Sequence, residues 1–401
     1  MQDEVLLEIE SIAPLDWIPV SKMIKVIGVG GGGCNAVSYM WSKGVTGCQF
    51  YACNTDYKTL EKCPVPNVIR IGNGLGAGTR PEVARKFALE AADRIKNALV
   101  SDETKMVFVT ASLGGGTGTG AAPVVAAVCK EAGILTVGVV SLPFNTEGQV
   151  VRMKALDGLD EMKEVVDSLI VVDNNRLYEN CGKLSIRAAF NKVDEVLATA
   201  VESIIGIIET TGYVNVDIND VRTMMKDSGM ALMGRGTGTG KNRINDAFKE
   251  AISSPLLNNY NLQKATKVLV NITCSSSDDG LTVDELGALE TSINQHLGIT
   301  DNYKKGIVLS DDPEYGDKIN VILIATGVEM MGAVPEDYFS EARDLQQVSE
   351  IEENEIGGSK DCDVADDATS ALMMNGHTKV MKIVSRIKEE VVRLYEEAGD
   401  Q

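Results

Sequence analysis

Short β-branched runs alternate with helical patterns over residues 22–172, and this alternation restricts the fold more than any other feature of the chain. It predicts an α/β fold with a parallel sheet. A ligand on such a sheet binds beyond the carboxyl ends of the strands. The predicted strands are Ile24–Val29, Gln49–Cys53, Val68–Ile71, Val107–Ala111, Ile134–Ser141 and Leu169–Val172, with a helix over Arg80–Val100 among the connections.

Glycine-rich segments follow three of these strands: residues 28–35 (first glycine loop), 114–120 (second) and 74–79 (third). Bare glycine amides at a helix N-terminus suit a phosphate. The first loop alone also fits the GxGxxG motif of a dinucleotide site through Gly28, Gly30 and Gly33, with Asp56 as the acidic residue that such a site has further along the chain. Two converging loops favour a triphosphate instead, and no GK[ST] follows to make a P-loop. For the third loop, a tight turn and a lid over the terminal phosphate are equally favoured.

A long helix follows the sheet region, because apolar residues recur there at alternating steps of three and four. The pattern is compatible with two roles: a spine, meaning a helix buried between two halves of the protein, or an ordinary core helix. The apolar positions are Ile186, Phe190, Val193, Leu197, Ala200, Ile204 and Ile207. The predicted divisions are a flexible N-terminal segment 1–21, a nucleotide-binding domain 22–183, the central helix 184–211, a second α+β domain 212–332, an acidic flexible linker 333–377 and a C-terminal helix 378–401.

Composition excludes several classes of function. A formal net charge of −20 argues against nucleic-acid partners, which need clustered Lys and Arg. The eight cysteines form no CxxC pair, which favours a reducing cytoplasm over a disulfide framework or zinc site. No export signal is apparent, and no apolar run approaches the roughly 20 residues needed to cross a bilayer. Direct membrane insertion is therefore not expected.

Several motifs together resemble the tubulin/FtsZ family, and its prokaryotic FtsZ branch in particular. The matching segments, spread over residues 22–328, are Asn54–Asp56, Gly74–Gly78, GGGTGTG at Gly114–Gly120, Pro143-Phe144 followed by Glu147-Gly148 and Arg152, and Ser254–Leu257. The resemblance implies binding of GTP or GDP with Mg²⁺, and K⁺ as a further candidate ion. It also identifies Gly236–Gly240 as a structural glycine turn that does not touch nucleotide.

The resemblance assigns nucleotide-binding roles by motif and no metal-ligating protein residue. Phe190 would stack on the base, although it also belongs to the apolar stripe of the helix. Asp194 would accept from guanine N1–H and N2–H₂, a donor pattern that adenine lacks. Arg152 falls one place late for its motif. The binding residues are Gly30, Gly31, Gly32, Cys34, Asn35, Asn54, Asp56, Ala77, Gly78, Gly114, Gly115, Gly116, Thr117, Gly118, Thr119, Gly120, Glu147, Arg152, Asn174, Phe190 and Asp194.

The glycine loops contain no general base, and candidate carboxylates occur only in the distant segment NVDIND. By resemblance, Asn215, Asp217 and Asp220 would enter the nucleotide pocket of a neighbouring subunit. There the carboxylates could orient the attacking water and accept its proton, so hydrolysis would depend on assembly. From the residues alone, Asp217 and Asp220 are better interpreted as caps of the following helix.

The resemblance implies a polymerising GTPase that forms head-to-tail filaments, the scaffold of a division ring in the cytoplasm at midcell. Division or membrane-anchoring proteins would bind its C-terminal tail, but the Pro-containing tail peptide usual in the family is absent. Cys34, Cys274 and the Thr79-Arg80 pair also depart from the family pattern. Two alternatives are a divergent FtsZ-like filament with a non-division role and an NAD enzyme. The latter would need a catalytic His, and His296 and His377 lie far from the loops in sequence.

Overall fold

A computed structural model describes residues 20–175, 185–253, 260–277, 280–298 and 302–330. Its first half is a parallel sheet in the order β3-β2-β1-β4-β5-β6. All six predicted strands are present, each within one residue of its predicted ends, which confirms the α/β prediction. The strands are β1 Ile24–Val29, β2 Gln49–Asn54, β3 Asn67–Arg70, β4 Met106–Ser112, β5 Leu135–Leu142 and β6 Ser168–Asp173.

Helices cover both faces of this sheet, so its central strands are apolar on both sides. On one face, Val26 and Phe108 pack with residues of α2, and on the other, Ile27 and Val109 pack with residues of α4 to α7. The helix predicted over residues 80–100 is two helices, because Ala91 (φ −98°, ψ 8°) leaves the helical conformation. The helices are α1 Val20–Met23, α2 Gly30–Ser42, α3 Tyr57–Lys62, α4 Pro81–Glu90, α5 Ala92–Leu99, α6 Thr117–Glu131 and α7 Gln149–Val165.

The predicted long helix is α8, Ile186–Glu209. Its 24 residues extend over roughly 36 Å at 1.5 Å per residue. Its stripe from Val193 to Ile207 is buried in a core cluster that also contains Met233 and Leu269 of the second half. The helix therefore packs against both halves, as a spine between them does.

The second half continues the sheet in the order β6-β7-β11-β9-β10. β7 pairs with β6 only through Ser168–Gly229 and Leu169–Met230, in the parallel sense. β11 is antiparallel to both neighbours and β9 is parallel to β10, so β7, β9 and β10 run in the same direction as β1 to β6. The elements are α9 Ile218–Met225, β7 Gly229–Gly238, α10 Arg243–Ile252, β8 Tyr260–Asn261, β9 Lys267–Ser275, α11 Val283–Leu297, β10 Asn302–Ser310, β11 Ile319–Thr326 and β12 Glu329–Met330.

Two expectations for this half need correction. The sequence pattern predicts a helix over residues 219–230, but the helix ends at Met225, because Asp227 (φ 49°) and Gly229 (φ 68°) lie in the left-handed region. The glycine turn at residues 236–240 is mostly the end of β7. A Cβ placed on Gly236 would lie 2.0 Å from the Ala247 carbonyl oxygen, so glycine lets α10 lie directly on the strand.

Some predicted features fall outside the described residues: the segment 1–19, the motif at residues 254–257, and the linker and C-terminal helix within 331–401. In the part of the chain that the structure describes, no helix is both long and apolar enough to span a membrane. The six cysteines described there are free thiols. Among them, Cys274 is buried and its Sγ lies 3.8 Å from the Val308 carbonyl oxygen.

Candidate functional site

The three glycine loops meet at the carboxyl edge of the parallel sheet. A Cβ placed on Gly30 would lie 2.7 Å from the Gly118 nitrogen, which puts the first loop against the second. A Cβ on Gly116 would lie 3.0 Å from both the Ala77 Cβ and the Arg80 nitrogen, which puts the second loop against the third. Side chains at these glycines would push the loops apart, so the glycines are what lets them converge.

Two loop positions face open space instead. A Cβ on Gly31 or on Gly115 would have no atom within 4 Å. Both lie where a helix begins, at the starts of α2 and α6, and helix N-termini present free N–H groups and a partial positive charge. Gly114 N–H is already used, since it donates to Thr119 Oγ1 at 2.9 Å. The arrangement leaves a cradle of bare backbone suited to phosphate oxygens.

Replacing Gly115 with Ala is expected to separate the ligand function of these glycines from their turn function. The free protein has room for the methyl group, so its unfolding free energy should change by less than about 1 kcal/mol. A bound phosphate would meet that methyl group, so GTP affinity should fall roughly tenfold or more, a change of about 1.4 kcal/mol. Thermal unfolding and nucleotide titration measure the two quantities.

Gly118→Ala is the matched control, because its Cβ would lie 2.3 Å from the Ser112 carbonyl oxygen in the free protein. That variant should lose stability whether or not nucleotide is present. Normal GTP binding by Gly115→Ala would show that the second loop serves only the chain turn.

Next to the loops, an aromatic pair and a half-buried carboxyl group face the same edge. Phe190 is 46% exposed, and its ring meets that of Phe144, which follows β5, edge to face with centroids 5.4 Å apart. Core packing, the alternative for Phe190, is therefore not what the structure shows. One turn further along α8, burial raises the pKa of Asp194 to about 7. Such a carboxyl group lacks the solvation that an ionised form needs.

Asn174 directly follows β6 and is buried, yet its Oδ1 has no hydrogen-bond partner in the described part of the chain. A buried polar atom of this kind is rare in folded proteins and indicates an absent donor. Asn35, on the second turn of α2, is exposed. The Asn174 and Asn35 side chains are therefore suited to hydrogen bonding with a polar heterocycle.

Other predicted binding residues are engaged within the chain. Asn54 Oδ1 accepts from the Asp56 N–H at 3.2 Å, and Asp56 caps α3. Hydrogen bonds from the Thr59 hydroxyl and the Lys58 N–H hold the pKa of Asp56 below its usual range, against the effect of desolvation. Cys34 is buried and burial raises its thiol pKa to about 12, so its side chain is not available to a ligand.

The α7 side of the pocket differs from the predicted motif. Glu147 folds back, and its Oε1 accepts from the Phe144 N–H at 2.9 Å. A methyl group of Val151 lies 2.7 Å from a Cβ placed on Gly114. Val151, one residue before Arg152, therefore lies beside the second loop. The one-residue displacement seen in the sequence thus places an apolar side chain at that point.

The carboxylates of the NVDIND segment form a capping box on α9. Asp217 Oδ1 accepts from the Asn219 and Asp220 N–H groups at 2.8 and 2.9 Å, and Asp220 Oδ2 accepts from the Asp217 N–H at 3.2 Å. Asn215 Oδ1 accepts from the Gly212 N–H at 3.3 Å. The capping role that the residues alone favoured is therefore present, and Asp217 remains exposed to solvent.

These carboxylates lie at the amino edge of the sheet, opposite the glycine loops. Lys304, near the start of β10, bonds Asp220 Oδ1 at 2.9 Å, and Arg222 donates to the carbonyl of Gly133, just before β5, at 2.9 Å. Lys267, at the start of β9, donates to the Thr223 carbonyl at 2.9 Å. β5 has eight residues and so spans roughly 26 Å. The glycine loops and the carboxylates of one chain do not meet.

Comparison with known proteins agrees with this geometry. Residues 23–182 match the Tubulin/FtsZ family, GTPase domain, and residues 229–329 match the FtsZ family, C-terminal domain. The chain is 43% identical over 319 residues to the cell division protein FtsZ of Porphyromonas gingivalis, covering 77% of this chain and 67% of the relative. For the cell division protein FtsZ of Pseudomonas putida the identity is 44% over 320 residues, with 78% of each chain covered.

Solved structures give the same result. The empty FtsZ dimer of M. jannaschii superposes with a TM-score of 0.68 at 34% identity, covering 77% of this chain and 92% of that one. A GTPγS-bound protofilament of CetZ2 from Haloferax volcanii has a TM-score of 0.70 at 22% identity, covering 82% and 99%, and shares the fold. On the family matches and these identities, the chain belongs to the FtsZ branch of the tubulin/FtsZ family of GTPases.

Proposed function

We propose that this chain binds GTP and assembles head to tail into filaments that serve cell division, hydrolysing GTP where one subunit meets the next. The observation that carries this proposal is that the glycine loops and the carboxylates of Asp217 and Asp220 lie at opposite ends of the strands. A pocket that needs both must be built from two copies, with the amino edge of one subunit against the carboxyl edge of the other. The contact is heterologous and repeats, so it generates a filament.

Exposed apolar side chains at both edges support the same contact. Leu75 of the third loop is 86% exposed and Val150 at the start of α7 is 65% exposed. At the other edge, Tyr213 beside the NVDIND segment is 81% exposed. Large apolar groups that protrude on opposite faces favour burial between copies.

Guanine recognition would rest on Phe190, Asp194 and Asn174. The ionised Asp194 accepts from guanine N1–H and N2–H₂, Phe190 contributes its exposed ring, and Asn174 Oδ1 gains a donor. The glycine loops would hold the phosphates. Among the described residues no group of three His, Cys, Asp or Glu could hold a metal ion, so Mg²⁺ would be bound mainly by phosphate oxygens and water, as is usual for this ion.

Hydrolysis would use the neighbouring subunit's copy of the NVDIND segment. The oxygen of the attacking water bonds to the γ-phosphorus while Asp217 accepts the proton of that water. The bond between the γ-phosphorus and the β–γ bridging oxygen breaks, which leaves GDP and phosphate. Burial alone would raise the pKa of Asp220, but hydrogen bonds from Lys304 and from the Asp217 N–H hold it below the usual range. Asp220 is thus a poor proton acceptor and positions Asp217, while Asn215 shapes the loop.

The experiment that tests assembly-dependent hydrolysis is GTP turnover per subunit measured over a range of protein concentration, with Mg²⁺ and K⁺ present. We expect specific activity near zero at low concentration and a steep rise above a threshold, because the site needs two copies. Specific activity that is independent of concentration would mean a site complete within one chain, and the proposal would fail. Omitting K⁺ in a parallel series tests whether that ion takes part.

A role in division at midcell, with anchoring proteins bound through residues 333–401, follows the relatives named cell division proteins. A filament with another task would use the same GTPase chemistry. Imaging a fluorescently labelled chain in dividing cells separates the two: a midcell ring supports division, and filaments elsewhere support the alternative.

A further inference from the structure

Arg80 is the charged residue nearest the three glycine loops in sequence. The loops themselves, residues 28–35, 74–79 and 114–120, contain no charged side chain, and Arg80 directly follows the third. Backbone N–H groups offset part of the charge of a triphosphate. Of the two cations beside the third loop, Lys154 already donates to the Thr79 carbonyl oxygen at 2.8 Å, whereas Arg80 is exposed and is the candidate for a phosphate contact.

The side chain of Arg80 lies along the third loop. Its Nε is 3.9 Å from a Cβ placed on Gly78, and its backbone nitrogen is 3.0 Å from a Cβ placed on Gly116. Arg80 is the N-cap residue of α4, yet its side chain makes no capping hydrogen bond. The residue is exposed, and among the described residues no ion pair holds its guanidinium.

The backbone around Arg80 is held in an unusual conformation. Thr79 has φ 60°, which is rare for a β-branched residue and is found at sites that bind ligands. Lys154 of α7 donates to the Thr79 carbonyl oxygen at 2.8 Å, and the Arg80 N–H donates to the Ala77 carbonyl oxygen at 3.1 Å. These two hydrogen bonds fix the peptide from which the guanidinium extends.

We propose that Arg80 contacts the terminal phosphate of GTP within its own subunit and makes the site discriminate GTP from GDP. The inference rests on the proposed function, since it needs a triphosphate in the three-loop pocket. A guanidinium binds phosphate oxygens through two parallel N–H donors. Its position beside the second and third loops places it at the phosphate end of the pocket, away from Phe190 and Asp194. Lys154 acts through Thr79 as a positioning residue.

The test is binding of the non-hydrolysable analogue GMPPCP and of GDP, with Mg²⁺, at protein concentrations below the assembly threshold. Arg80→Met should weaken GMPPCP binding by roughly 10- to 100-fold, the range for a lost charge-assisted phosphate contact, and GDP binding by less than about threefold. Arg80→Lys should recover part of the GMPPCP affinity. Arg94→Met is the matched control, because Arg94 is exposed and donates to the Arg70 carbonyl, outside the loops.

Each outcome decides the proposal. Equal losses for GMPPCP and GDP would mean that Arg80 only shapes the loop, and unchanged monomer binding with weaker assembly would mean that it contacts the next subunit. Either result overturns the proposal while the GTPase function stands. If the unmodified chain binds neither nucleotide, the proposed function itself fails.

Discussion

Replacing Asp217 with Asn is expected to lower GTP turnover at least about 100-fold, the usual contribution of a general base, while monomers bind GTP as before. Asn caps a helix about as well as Asp and can accept the same bonds from the Asn219 and Asp220 N–H groups. The substitution therefore removes the proton acceptor and keeps α9 intact. Turnover above the assembly threshold and nucleotide titration below it measure the two effects.

Thr282→Ala is the control for loss of a helix cap. Thr282 caps α11 in a capping box with Glu285, and its loss should cost about 1 kcal/mol of stability without changing turnover. Mixing Asp217→Asn with a Gly116→Val chain adds a direct test of the shared site. The second chain cannot close its own glycine loops but can supply its carboxylate to the first. Full turnover by Asp217→Asn alone would contradict hydrolysis in trans.

Replacing Asp194 with Asn is expected to change which base the site prefers. Guanine offers two donors, and two charge-assisted hydrogen bonds are worth about 1.5–3 kcal/mol each. Allowing for partial compensation by water, GTP affinity should fall roughly 100-fold or more. Xanthine carries a carbonyl at C2, which can accept from the Asn amide, so affinity for XTP should rise. Competition between the two nucleotides on one sample gives the ratio directly.

The pH dependence of binding distinguishes base recognition from a structural role of Asp194. Burial holds its pKa at about 7 in the free protein, and bonding to guanine needs the ionised form. Below pH 7 the carboxyl group must release a proton to bind, so GTP affinity should fall about tenfold per pH unit. Asp194→Asn should lose this slope, and the difference between the two curves cancels titration of the phosphate itself.

Asp157→Asn serves as the control for that comparison. Its carboxyl pKa is also raised, by burial and then by the neighbouring Asp160, but it lies on α7 away from Phe190. Its variant should keep the slope. A wild-type affinity that does not change between pH 6 and 8 would show that Asp194 does not bond the base.

The sequence by itself determined the elements whose signals are local. The strands of the parallel sheet are short β-branched runs, and these runs predict them within one residue. The central strands are buried on both faces. The phosphate-binding character of the first and second loops is predicted locally as well, because glycine amides at a helix N-terminus suit a phosphate wherever they occur. The buried stripe of α8 from Val193 to Ile207 is likewise an intrachain periodicity.

Only the tertiary structure decided features that depend on neighbours distant in sequence. The sequence of the β7 glycines is typical of a turn, but in the structure they form a strand on which α10 packs. At Ala91 and Asp227 the backbone leaves the helical conformation, although the apolar pattern continues past both residues. That Val151 lies beside the second loop depends on the rotation of α7, which its packing sets. The glycine loops and the carboxylates proposed for hydrolysis lie at opposite edges because all strands of β1 to β6 run in one direction and α9 returns to their starts. No local pattern encodes that distance, so the motifs imply a site shared between subunits only by resemblance, whereas the fold gives the physical reason for proposing it.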